Sequence, residues 1–189
     1  MKDALINRRE FLRNLGVIGA GTLLSISPWL SVFSEVVETS GEKCRLAIIG
    51  TGSKGHFLMS FSLQNPKVEI VALCDIYQPS MEKALNLVRE AKVYTDYRKV
   101  LENKTVDAVL VATPLNLHCQ IVLDAFDAGK HVFCEKSIGF TMEECFRIYK
   151  KHISTGKVFF TGQQRLFDPR YIKAMEMIHA GTFGEINAI

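Results

Sequence analysis

Between residues 44 and 162, short unbroken apolar runs alternate with longer segments in which apolar side chains return every three or four positions. The runs RLAIIG (45–50), VEIVALCD (68–75), DAVLVAT (107–113), HVFCE (131–135) and VFFTG (158–162) are each bounded by glycine or a polar residue. Apolar runs of this length, without polar alternation, predict strands buried on both faces of a parallel sheet. The intervening segments predict helices. HFLMSFSLQ (56–64) closes at Asn65-Pro66, and PSMEKALNLVREA (79–91) starts with proline at the first helical position. Met81, Ala84, Leu85 and Val88 then share one face of that helix. NLHCQIVLDAFDAG (116–129) is a third helical segment. A fourth opens on the capping box Thr141–Glu144, runs through Ile153 and ends at Gly156. Strands alternating with helices imply βαβ units, hence an α/β fold with a doubly wound parallel sheet. DAVLVAT and HVFCE then count as its fourth and fifth strands and VFFTG as its sixth, while the pattern does not delimit a third.

The first strand runs into IIGTGSKG (48–55), with glycines spaced G-x-G-x-x-G. The spacing alone is a weak signal, but here it follows a strand, opens a helix and lies inside a βαβ unit. In a Rossmann fold Gly50 makes the tight turn, Gly52 lets a pyrophosphate approach the backbone, and Gly55 packs helix on strand. Ser53 and Lys54, in the same loop, join the candidate cofactor contacts, and the helix N-terminus offers N–H groups to phosphate. Asp75 ends the second strand, where a carboxylate accepts hydrogen bonds from the adenosine ribose. It would repel a 2′-phosphate, and Ile76, Tyr77 and Gln78 supply no adjacent cation, so NAD is expected rather than NADP.

The first forty residues read differently. NRREFLRNLG (7–16) is basic, and residues 14–34 carry no ionisable side chain. A charged stretch before a moderately apolar one is the pattern of an export signal, and Arg8-Arg9 before Glu-Phe-Leu is similar to a twin-arginine motif, with Asn7 in place of Ser or Thr. Gly16, Gly19, Gly21 and Pro28 suit a membrane helix poorly. The expectation is recognition by twin-arginine export machinery and a periplasmic location, or membrane anchoring if the signal stays uncleaved. The net charge of the 189 residues is +3, of which the signal region supplies a large part, so no basic surface for nucleic acid is expected. Five cysteines without a C-x-x-C pair argue against a zinc site or disulfide framework and for small buried thiols. Folding before export would keep them reduced.

Two further stretches carry a resemblance. ATPLNLH (112–118) and GKHVFCEKS (129–137) resemble the A-T-P-x-x-x-H and E-K-P signatures of the Gfo/Idh/MocA oxidoreductases, and residues 162–186 resemble that family's passage into its second domain. The resemblance implies that Thr113 and Pro114 face the cofactor from the fourth strand. It places Glu135 beside the nicotinamide and sets Lys136 against the reacting hydroxyl of a sugar or polyol. His118 falls near the cofactor cleft by the family pattern, with helix packing as the competing role. Gln164 and Arg165 follow the sixth strand, where Arg165 is a candidate substrate contact; Asp168 is better read as the N-cap of the helix that Pro169 opens. Ser137 replaces the family's proline, which removes its fixed φ and its easier cis bond.

The implied organisation is an export signal and linker (1–40), a Rossmann NAD-binding domain (44–165), and the start of a truncated substrate domain (166–189). The whole protein is expected to form a homo-oligomer. The expected function is an exported NAD-dependent dehydrogenase of sugar or polyol hydroxyls. Within the same family the alternatives are an NAD-dependent glycosidase, against which Lys136 argues, and a non-catalytic NAD-binding protein.

Overall fold

The computed structural model describes residues 43–185. The expected export signal lies outside them. Six parallel strands form one sheet: β1 (Cys44–Ile49), β2 (Val68–Cys74), β3 (Lys92–Tyr94), β4 (Ala108–Val111), β5 (His131–Cys134) and β6 (Phe159–Thr161). Their order is β3-β2-β1-β4-β5-β6. This is the doubly wound order, with its crevice between β1 and β4, where consecutive crossovers leave in opposite directions.

Alternate residues of each strand feed two separate cores. Leu46, Ile48, Leu110 and Phe133 meet Leu58 and Met59 of α1 (Ser53–Ser62) and Met81 and Ala84 of α2 (Gln78–Leu85). On the other face Ala47, Ile49, Val109, Val111 and Val132 meet three further helices. These are α3 (Tyr97–Glu102), α4 (Leu115–Asp127) and α5 (Met142–Thr155). Each fully buried Leu, Ile or Val contributes roughly 1.5–3 kcal/mol, which explains why polar residues in the central strands are confined to their first two positions, at Arg45, Glu69 and His131. A 3₁₀ turn (Gln164–Phe167) and α6 (Pro169–His179) close the described chain. No residue of α6 is buried, and its Tyr171, Ile172 and Met175 are exposed.

The capping box on Thr141 forms with both reciprocal bonds, and Gly156 ends α5 in the left-handed region at φ 62°. Asp168 caps α6 by accepting from the Arg170 N–H. One expectation is corrected, and the strand left undelimited is located. The helix predicted over 79–91 stops at Leu85, because the chain turns at Asn86 and Leu87 to reach β3. Leu85, the last residue of α2, and Val88, beyond its end, still pack against this core. The third strand is KVY, an edge strand with Lys92 and Val93 exposed, so it lacks the apolar run that marks the others.

At the opposite end of the sheet from the glycine loop, Lys130 is 7% exposed, and its Nζ donates to Asn103 O (2.9 Å) and Val106 O (2.8 Å). Burial lowers its pKa, opposed by Asp107 nearby. Lys130→Ala strands two carbonyls, and an unsatisfied buried acceptor costs about 1–3 kcal/mol. A urea melt is expected to show a loss of that order; an unchanged midpoint means water replaces the ammonium freely.

Candidate functional site at the carboxyl ends of the strands

Beyond β1 the chain turns at Gly50, whose φ of +92° lies in the left-handed region. A Cβ there would lie 2.7 Å from Ala112 C and O and 2.8 Å from Thr113 N, so the turn fits tightly against the end of β4. Gly55 is tighter still: its Cβ would stand 1.8 Å from Gly50 O, which brings α1 directly onto the turn. Gly52 differs, with open space around the position of a Cβ. It is the N-cap of α1, which has neither a capping side chain nor an acidic residue in its first turn. The first N–H groups of the helix and its positive dipole end therefore face that space without a protein anion of their own helix.

Asp75 ties the loop to the second strand. Its Oδ2 accepts from Thr51 N (2.7 Å) and Thr51 Oγ1 (3.0 Å), and its Oδ1 accepts from Tyr77 N (2.9 Å). Each oxygen keeps acceptor capacity for a ligand hydroxyl. Sequence reasoning missed Thr51; a hydroxyl between two glycines, facing a strand-end carboxylate, was the available signal.

Across the crevice, Lys54 Nζ lies 3.4 Å from Glu135 Oε1. A lysine in the first turn opposes the helix dipole, so this cation favours an anionic neighbour. Glu135 is 6% exposed, and its Oε2 accepts from the Lys136 N–H (3.0 Å). The carboxyl lies so close to Gly162 that a Cβ there would sit 2.8 Å from it. Gly162 is a second residue the sequence reading passed over, although glycine directly after an apolar strand signals such an approach. Lys136 extends from the end of β5 with an exposed side chain. The Lys136–Ser137 peptide is cis, contrary to the expectation that replacing proline loses that geometry. Thr113 Oγ1 is a buried hydroxyl with no partner at the crevice. Pro114, with which the turn continues, is the N-cap of α4.

His118 requires a correction. Proposed as a cofactor contact, it is 2% exposed and both ring nitrogens meet main-chain carbonyls: Nδ1 meets Ser137 O at 2.7 Å and Nε2 meets Thr113 O at 2.8 Å. No ring nitrogen is left for a ligand. Arg165 is exposed on the 3₁₀ turn, with its guanidinium 5.5 Å over the Tyr171 ring. Asp168 accepts side-chain and backbone hydrogen bonds from Arg170, which lower its pKa to about 2. At both thiols near the site the protonated form is favoured. Burial, then the charge of Asp75, raises Cys74 to about 12, and burial followed by Glu135 raises Cys134.

The glycine loop, Asp75, Thr113, Glu135 and Lys136 thus meet at the carboxyl ends of four neighbouring strands. The open face at Gly52, the uncapped helix end and the unpartnered Thr113 hydroxyl together fit a dinucleotide. A comparison with known families agrees: the Gfo/Idh/MocA profile, an oxidoreductase family with an NAD-binding Rossmann fold, matches residues 44–163. The chain belongs to this family. It is 31% identical over 193 residues to a glycosyl hydrolase family 109 protein of Stenotrophomonas maltophilia, covering 96% of this chain and 40% of the relative. It is 27% identical to an α-N-acetylgalactosaminidase of Shewanella oneidensis, covering 96% and 44%. Among solved structures, myo-inositol 2-dehydrogenase from Lactobacillus plantarum superposes with a TM-score of 0.72 at 28% identity, covering 77% of this chain and 43% of that one. The chain therefore spans less than half the length of these relatives.

Proposed function

We propose that this family member binds NAD across the β1–β4 crevice and passes it a hydride from a hydroxyl-bearing carbon of a sugar or polyol. What carries the reading is the position of Lys136, at the end of β5 and beside the Lys54–Glu135 pair that faces the glycine loop. Gly50, Gly52, Ser53, Lys54 and Gly55 hold the pyrophosphate, Asp75 the ribose, and Thr113, Pro114 and Glu135 the nicotinamide end. NAD, when bound, supplies the hydride acceptor. Lys136 donates to the substrate oxygen and stabilises its alkoxide character as the carbon–hydrogen bond breaks, while the hydroxyl proton passes to solvent water.

A second reading has its own support. The curated relatives above, similar over 96% of the chain, are glycosidases by name. In such an enzyme the same hydride step is transient, and elimination of the sugar's substituent follows before the hydride returns. The two separate in one assay of the whole protein, with sugars and polyols beside aryl glycosides. Accumulating NADH supports the dehydrogenase, whereas aglycone release without net NADH supports the glycosidase. With neither, hydride transfer is refuted.

NAD is the preferred dinucleotide on the charge of Asp75. Asp75→Asn keeps an acceptor for Thr51 but removes the repulsion toward a 2′-phosphate. Titration is expected to show NADP affinity rising while NAD affinity falls about tenfold, the equivalent of one charge-assisted hydrogen bond. An unchanged NAD to NADP ratio overturns the assignment.

We further propose export in folded form, supported by Arg8-Arg9 and the uncharged residues 14–34 behind them. Replacing both arginines with lysine is expected to hold the protein in the cytoplasm; export of that variant at the parent level indicates another route.

A further inference from the structure

His118 stands in the first turn of α4, buried between the two motif segments that form the site. Its partners are both carbonyl oxygens, Thr113 O from the segment after β4 and Ser137 O from the segment after β5. Carbonyl oxygens only accept hydrogen bonds. A neutral imidazole carries one N–H, so it can satisfy only one of two contacts at 2.7 and 2.8 Å. The doubly protonated ring satisfies both with charge-assisted bonds.

We infer that His118 is a positioning residue: its ring, donating from both nitrogens, straps the Lys136–Ser137 segment to the end of β4 and so fixes where Lys136 stands. Lys136 is the last exposed side chain before this strap, one residue from Ser137, and its own N–H is held by Glu135 Oε2. The segment thus has a tether on each side of the lysine. The elements packed on α4 are β4, β5, α5 and α3. Their titratable groups in the segments flanking the site are Cys134, Glu135 and Lys136 after β5 and Glu144 and Cys145 in α5, with Cys119 next to His118 on α4 itself. Tyr97 of α3 meets Asp124 farther along α4. β4 has no titratable side chain.

The role as a positioner rests on the hydride-transfer reading, but the strap itself does not. Nitrogen-15 NMR of histidine-labelled chain reads the ring directly. Both His118 nitrogens are expected to be protonated, with the resonance assigned by its loss in His118→Gln. One unprotonated nitrogen overturns the two-donor strap. Hydrogen exchange then tests the tether without any turnover. In His118→Phe, which keeps a ring but no donor, protection at residues 136–138 is expected to fall about tenfold or more while β1 and β2 stay protected. Unchanged protection there overturns the strap.

In the whole protein, His118→Phe is expected to lower kcat by about 10²-fold, the effect of misplacing a reacting group by about an ångström, while NAD affinity stays within about threefold. His118→Gln keeps one donor nitrogen in place of two and is expected to recover part of that loss; it also serves if the phenylalanine variant does not fold. Parent-level kcat in His118→Phe overturns the positioning role. A parent protein with no hydride transfer on any substrate refutes the functional reading instead, and leaves the NMR and exchange results to decide the strap.

Discussion

Gly55→Ala is expected to abolish measurable NAD binding and to destabilise the fold, whereas Gly52→Ala is expected to lose NAD binding alone. The contrast follows from the two environments. At Gly55 a methyl group would lie 1.8 Å from Gly50 O and 2.9 Å from Gly50 C, which are backbone atoms unable to swing aside. Either α1 lifts from the sheet or the turn deforms. Overpacking of this kind costs about 1–3 kcal/mol, and the gain in helix propensity from glycine to alanine, at most about 1 kcal/mol, does not offset it. Lifting α1 also carries its N–H groups away from where phosphate would bind, so affinity falls with stability. At Gly52 the same methyl meets nothing within 4 Å, and φ −59° and ψ −171° suit alanine. Its thermal midpoint should match the parent. Only a ligand lying against that backbone feels the added atom. Calorimetric titration with NAD and a thermal melt on each variant test the pair. Parent-like NAD affinity in Gly52→Ala moves the pyrophosphate elsewhere.

Lys136→Ala in the whole protein is expected to lower kcat/KM by about 10²–10³-fold, the usual loss when one donor to a developing oxyanion is removed. NAD affinity should change little, because the lysine is exposed and Glu135, not Lys136, pairs with the glycine loop. Lys136→Arg should recover little activity: the guanidinium is a planar fork with its charge spread out, and it cannot place a compact ammonium at one oxygen. Isotope-labelled substrate strengthens the reading. A primary deuterium effect that grows in Lys136→Ala means hydride transfer has become slower relative to binding. If Lys136→Ala turns over at the parent rate, the chemistry lies with another group and the reading of the β5 end is wrong.

The fold was largely legible in the sequence because a central parallel strand is covered on both faces. Its inner positions must then be apolar, and β1, β2, β4 and β5 advertise themselves as apolar runs in which polar residues occur only among the first two, at Arg45, Glu69 and His131. The glycine spacing was legible for a related reason. A turn that needs φ +92°, and a helix that touches its oxygen, each exclude every side chain, so the sequence must show glycine at both places. The capping box at Thr141 and the cap at Asp168 are similarly local, since donor and acceptor lie within three residues. The edge strand β3 is none of these things. With one neighbour and a solvated face it tolerates Lys92 and an exposed Val93, and only its pairing with β2 makes it a strand.

The site divides in the same way. Asp75 and Lys136 are placed by strand ends, which the sequence determined. What those residues touch is decided across the sheet: Thr51 with Asp75, Lys54 with Glu135, and Gly162 under the Glu135 carboxyl are 24, 81 and 27 positions apart in sequence. No local pattern encodes such pairs. His118 shows the difference most clearly. Sequence placed it in the first turn of a helix and left its role open between cofactor and packing. Only the parallel alignment of β4 beside β5 brings the carbonyls of Thr113 and Ser137 to opposite sides of one ring. A side chain's partners are a property of the folded neighbourhood, and a linear pattern reports only the burial and backbone constraints that every neighbourhood imposes on its residues.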